Sequence, residues 1–250
     1  MTFLLHERVS RAAARRPASP AVVSPESTLT YEALETLANR VAHGLLEAGC
    51  RPGDRVALLL PKSPETVAAM VGSLKAGCVY VPVDLASPAA RAGKMLAAAA
   101  AKVVLVHPSA SALLDGVLGE VELSGSPLVG TLGGENVVGA RFHSAFDGAS
   151  LARLPETEPS VSIPRGAAAH ILFTSGSTGD PKGVVVTHEN VAAFLDWALP
   201  TVGVRADDRL SSHPPLHFDL STFDVFGALT AGAALHLVPP ELNLVPPGRA

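Results

Sequence analysis

The chain has 250 residues, 48% of them apolar and 17% charged, with a formal net charge of −4. That composition excludes a disordered chain, and the lack of any dense Lys/Arg run argues against a nucleic-acid partner. The length suffices for one large domain or two small ones with ample core.

The opening stretch "MTFLLHERVSRAAARRP" is too weakly apolar for a secretory signal, and its charges follow the apolar part instead of preceding it. Arg11, Arg15 and Arg16 read as the solvated face of a short helix. "LTYEALETLANRVAHGLLEAGC" follows, an amphipathic helix with Leu34, Leu37, Val41 and Leu45 at helical spacing. Thr30 is its expected N-cap and Gly49 its stop. "DRVALLLP" is a strand, and "SPETVAAMVGSLKAG" a helix in which Ser63 precedes Pro64 at the first turn. "CVYVPVD" is a second strand, "SPAARAGKMLAAAA" a helix with the same Ser-Pro start, and "KVVLVH" a third strand. Short apolar strands alternating with helices predict an α/β fold, built of βαβ units with a parallel sheet covered by helices on both faces.

Residues 107–160 show no strong period, and "PETEPSVSIPRG" reads as a Pro-punctuated exposed connector. Beyond it, "AAAHILF" and "VVVTH" are strands and "ENVAAFLDWAL" a helix capped near Thr187 or His188. "ALHLVPP" is a further strand, expected to form an exposed apolar sheet edge. No stretch approaches the roughly 18 uncharged apolar residues of a membrane helix, so a soluble protein is expected. Cys50 and Cys78 lack the spacing of a zinc site and fit a reducing, cytoplasmic setting.

Between the two later strands lies "FTSGSTGDPKG", residues 173–183, which gathers glycines and hydroxyl side chains around one Lys. It is not a P-loop: Pro181 precedes Lys182, Gly183 follows, and a β-branched run stands where a helix should begin. A polyphosphate would still profit from it. Gly176 and Gly179 let backbone N–H groups turn inward, while Ser175, Ser177, Thr178 and Lys182 supply donors and a positive charge. A polar hairpin turn accounts for the same composition, and the residues alone leave both readings open.

"ILFTSGSTGDPKGVVVTH" resembles the phosphate-binding signature of the adenylate-forming (AMP-binding) ligase superfamily. Three further segments match its peptide-synthetase branch in the family's order: "LTYEAL" (29–34), "LKAGCVYVPVD" (74–84) and "HFDLSTFDVFG" (217–227). The resemblance implies the N-terminal part of an amino acid adenylation domain. Its reaction is ATP-dependent activation of an amino acid carboxylate, with Mg²⁺, and transfer to the phosphopantetheine thiol of a carrier protein. By the same resemblance Thr174, Ser175, Gly176, Ser177, Thr178, Gly179 and Lys182 hold the phosphates, with Thr174 and Lys182 catalytic. Asp219 would pair with the substrate α-ammonium, Phe218 pack beside nucleotide and substrate, and Leu220 and Phe223 line a pocket for a modest apolar side chain. Residues of these types also serve as a helix N-cap (Asp219) and core aromatics. His213 and His217 read as structural.

The expected division is a first α/β subdomain at 1–154, a connector at 155–168 and the start of a second subdomain at 169–250. The family's ribose motifs, metal motifs and C-terminal lid Lys are not found before Ala250, so the chain reads as the front portion of a longer enzyme. An acyl-CoA or aryl-acid synthetase fragment and a non-catalytic nucleotide-binding remnant, or half of a split enzyme, are the alternatives. Asp219 argues against the first of these.

Overall fold

The computed structural model describes residues 4–120, 128–139, 141–175, 180–239 and 242. Helix α1 (Leu5–Arg15) leads into strands β1 (Pro20–Val23) and β2 (Thr28–Thr30) and helix α2 (Tyr31–Glu47). Then come β3 (Arg55–Leu59), α3 (Pro64–Lys75), β4 (Val79–Pro82), α4 (Ala89–Ala99), β5 (Ala101–Val106) and α5 (Ser111–Glu120). Strands β6 (Leu128–Thr131) and β7 (His143–Phe146), the single turn α6 (Gly148–Leu151), β8 (Ala168–Ser175), β9 (Pro181–Thr187) and α7 (His188–Val202) follow. The remainder holds β10 (Arg209–Ser212), a helical run broken by a π turn, and β11 (Ala234–Leu237). That run comprises α8 (Leu220–Thr222), Phe223–Gly227 and α9 (Ala228–Ala231).

Seven strands make one sheet in the order β7-β6-β5-β3-β4-β8-β9. Every pairing in it is parallel except the hairpin of β8 and β9. The alternation of side chains explains why its strands are apolar throughout. Val56, Leu58, Val103 and Leu105 face the core shared with α1, α2 and α3. Ala57, Leu59, Val104 and Val106 face the opposite core, built with α4 and α5. A sheet buried on both faces needs apolar residues at every position, which is the pattern anticipated.

The helix signals act largely as expected. The Thr30 hydroxyl accepts from the Ala33 N–H, and Gly49 takes φ +81° just past the end of α2. Ser63 caps α3 by accepting from Thr66 N–H, and Thr187 caps α7 by accepting from Asn190 N–H. Helix α4 departs from the pattern. It begins one residue late, with Pro88 as its N-cap and no side-chain cap, because Ser87 donates its N–H to the Asp84 carbonyl in a turn. Of the three arginines read as solvated, Arg11 and Arg15 are exposed, whereas Arg16 caps α1 and donates to the Ala206 carbonyl.

The smaller sheet, β10-β11-β1-β2, joins the two ends of the described chain. Strand β11, anticipated as an exposed edge, lies between β10 and β1 and runs parallel to both. Its apolar side chains Leu235 and Leu237 belong to the main core. The connector at 155–168 does not separate the sheets. Strands β8 and β9 join the larger sheet, while β1 and β2 join the smaller. The connector lies instead along α2, where the Asn39 amide donates to the Glu156 carbonyl and Arg40 pairs with Glu156 at 2.6 Å. Beneath it the buried Lys75 ammonium meets Glu35 at 2.6 Å, the Ser10 hydroxyl at 2.9 Å and Glu158 at 3.3 Å.

Candidate active site

Three adjoining hollows open at the ends of β3, β4 and β8, where the segment 213–223 crosses from the smaller sheet. The central one, of about 750 Å³, is lined by Thr174, Phe218 and Asp219, with Asp84, Arg91 and His217. A second, of about 360 Å³, shares Asp219 with it and adds Leu220, Phe223, Phe194 and His170. A third, of about 530 Å³, lies behind Phe218 and His217 and is lined by Lys62, Thr66, Asp84 and His213.

The substrate-side residues named from the sequence therefore stand together: Asp219 sits where the central hollow meets the one lined by Leu220 and Phe223. Phe218 and Leu220 are 52% and 68% exposed, too open for core residues. Phe223 is half-buried and meets Phe194 edge-on at 6.0 Å. Asp219 is also a cap. Its Oδ1 accepts from the Leu220 N–H at 2.8 Å, which leaves the second oxygen for another donor.

On the phosphate side, Thr174 ends the β8 face of the central hollow and pairs in register with Lys182 on β9, while Ser175 pairs with Pro181. Lys182 is exposed and lines none of the three hollows. Gly176, Ser177, Thr178 and Gly179 lie outside the described residues. Just beyond them Asp180 is held by Lys94 of α4 at 2.7 Å. The pair is exposed at both ends, so solvent screens it and it adds little to stability.

Sequence reasoning missed two features. Lys62, directly after β3, donates to the backbone carbonyls of Ser212, His213 at 3.2 Å and Pro214 at 3.1 Å. One ammonium thus grips the segment that carries Phe218 and Asp219. Burial lowers the Lys62 pKa, and Asp224 on the π turn opposes the shift. Burial in turn raises the Asp224 carboxyl, with Lys62 and His213 pulling it back. The second feature is the pairing of His217 with Asp84 at 4.0 Å; burial lowers the histidine and Asp84 counters it. His170 is driven to about 4 by burial, with His188 adding to the effect, and stacks on Tyr80 at 5.1 Å. His170 and His188, the latter also lowered to about 4 by burial, are neutral near pH 7. Among the described residues no three His, Cys, Asp or Glu side chains gather as a metal site.

On the central hollow the Thr174 hydroxyl and the Asp219 carboxylate stand among apolar walls, which suits a ligand with hydrogen-bond acceptors at one end and an ammonium at the other. A protein-family model described as AMP-binding enzyme matches residues 9–249. The chain belongs to the AMP-binding enzyme family. It is 38% identical over 245 residues to an L-proline--[L-prolyl-carrier protein] ligase of Pseudomonas fluorescens, covering 97% of this chain and 46% of that protein. A Streptomyces coelicolor ligase of the same name is 37% identical, over 90% of this chain and 42% of its own length. The chain thus spans less than half of these AMP-binding relatives. Among solved structures, the nonribosomal peptide synthetase FmoA3 in its α-methyl-L-serine-AMP bound form superposes with a TM-score of 0.78 at 33% identity. The match covers 95% of this chain and 24% of that one. The anthranilate CoA ligase AuaEII superposes at 0.84 with 23% identity, covering 94% of this chain and 45% of that one, a likeness of fold. Among the described residues no helix is long and apolar enough to cross a membrane.

Proposed function

We propose that this chain recognises ATP and an amino acid for adenylation of the carboxylate, and that the aminoacyl group then passes to a carrier-protein phosphopantetheine thiol. A substrate carboxylate oxygen attacks the α-phosphorus, the bond from that phosphorus to the bridging oxygen breaks, and pyrophosphate leaves. The thiol later takes the acyl group and AMP departs. Residues 174–179 and Lys182 receive the phosphates, Thr174 and Lys182 meeting the charge that develops as pyrophosphate leaves. Mg²⁺ enters as the counter-ion of ATP. Asp219 takes the α-ammonium, Phe218 packs beside nucleotide and substrate, and Leu220 and Phe223 wall the side-chain pocket. Residues 1–154 and 169–250, with the connector between, are the N-terminal portion of the adenylation domain, and its setting is cytoplasmic.

The observation that carries this reading is the placing of Thr174, Phe218 and Asp219 on one hollow, with Leu220 and Phe223 beside Asp219 on the next. A small apolar amino acid suits the pocket, and the two prolyl ligases make L-proline the first candidate. The test is amino-acid-dependent exchange of labelled pyrophosphate into ATP across the proteinogenic amino acids. In an enzyme that spans the relatives' full length, exchange with a small apolar amino acid, lost in Asp219→Ala, is expected. Exchange driven only by carboxylic acids without an amino group favours an acyl-CoA or aryl-acid synthetase. Nucleotide binding with no exchange on any acid favours a non-catalytic role.

A further inference from the structure

Arg91 lies on α4 and lines the central hollow with Ser87, Thr174, Asp84, His217 and Asp219. It is the only Lys or Arg among the lining residues, and it is half-buried. Two carboxylates line the same hollow without pairing with it: Asp84 lies 4.0 Å from His217, and one oxygen of Asp219 accepts the Leu220 N–H at 2.8 Å. Among the described residues no ion pair or hydrogen bond joins the Arg91 guanidinium to any other group. A guanidinium withdrawn from water without an anion loses hydration and gains nothing, so its position makes sense when an anion enters the hollow.

Its helix adds a second argument. One turn further along α4, at i+3, Lys94 meets Asp180, the residue just before β9, at 2.7 Å. Helix α4 thus offers two cations in successive turns, one tied to the strand-entry side of the hairpin and the other facing the hollow beside Thr174. The planar fork of an arginine matches two oxygens of a phosphate, which an ammonium does not.

We propose that Arg91 is a phosphate-recognising residue that receives the β- and γ-phosphates of ATP in the hollow shared with Thr174. The proposal rests on the adenylation reading above. It makes Arg91 a discriminator between ATP, which carries those phosphates, and AMP, which lacks them.

Isothermal titration of the chain with ATP and with AMP, each with Mg²⁺, tests it in wild type, Arg91→Met and Arg91→Lys. Arg91→Met is expected to weaken ATP binding about tenfold or more, the scale of one charge-assisted contact, and to leave AMP binding within about twofold. Arg91→Lys should recover part of the ATP loss, and thermal melts of the three proteins should coincide. Equal ATP affinity in wild type and Arg91→Met would overturn the proposal while leaving the adenylation reading intact. Equal losses for ATP and AMP would also overturn it, since a contact to the adenosine or α-phosphate end, or general damage to the site, then explains the effect. A wild type that binds neither nucleotide would refute the adenylation reading itself.

Discussion

At the residue scale, Asp219 shows how one side chain can satisfy a structural and a chemical demand together. A carboxylate offers about four lone-pair sites, and capping the Leu220 N–H uses one of them. Lys62 sets where that carboxylate stands, because its ammonium ties Ser212, His213 and Pro214 to the end of β3. Lys62→Met should therefore loosen residues 213–222 with little effect on the sheets. Hydrogen exchange should show faster amide exchange there by about fivefold, for a loss of about 1 kcal/mol in a half-exposed contact. Unchanged exchange in that segment would detach Lys62 from the site. The motif residues were legible because Gly, hydroxyl and Asp types at fixed spacing carry chemistry in one dimension. Lys62 and Arg91 were not, since each gains meaning only from the hollow that the fold places beside it.

At the scale of elements, α3 is the most tightly constrained. Its residues from Pro64 to Lys75, apart from Glu65, are buried, and it packs against α2 at Gly72. A Cβ there would lie 2.7 Å from the Ala38 carbonyl oxygen and 2.8 Å from the Val41 Cβ. Gly72→Ala ought to gain about 1 kcal/mol in helix propensity, yet the backbone clash should outweigh it, with a net loss of about 1–3 kcal/mol. Urea denaturation measures this; a stabilised variant would mean that α2 can move away at no cost. Helix α3 was readable because the Ser-Pro start and the apolar run agree. Helix α5 was not, because Leu113, Leu114, Val117 and Leu118 sit among Gly116 and Gly119 with no clear polar face. Strands β6 and β7 were missed because four residues each, the first nearly all buried and the second mostly open, give no period to read.

For the whole molecule, the larger sheet followed from local alternation, whereas the smaller sheet could not. It pairs Val22 with Leu235 and Val23 with His236, and no short-range signal links positions so far apart in the chain. That closure brings the 213–223 segment over the ends of β3 and β4, so that two sheets contribute to one site. Tyr31 helps to lock it, donating from the start of α2 to the Ala233 carbonyl at 2.8 Å beside β11. Whether the phosphate and ammonium ends of one ligand meet here can be measured without turnover. A non-hydrolysable prolyl adenylate analogue and its cyclopentane counterpart, which lacks the amine, should be titrated against wild type and Asp219→Ala. About tenfold tighter binding of the amine-bearing analogue by wild type and no preference in the variant are expected. Equal affinity of wild type for the two analogues would contradict such a meeting.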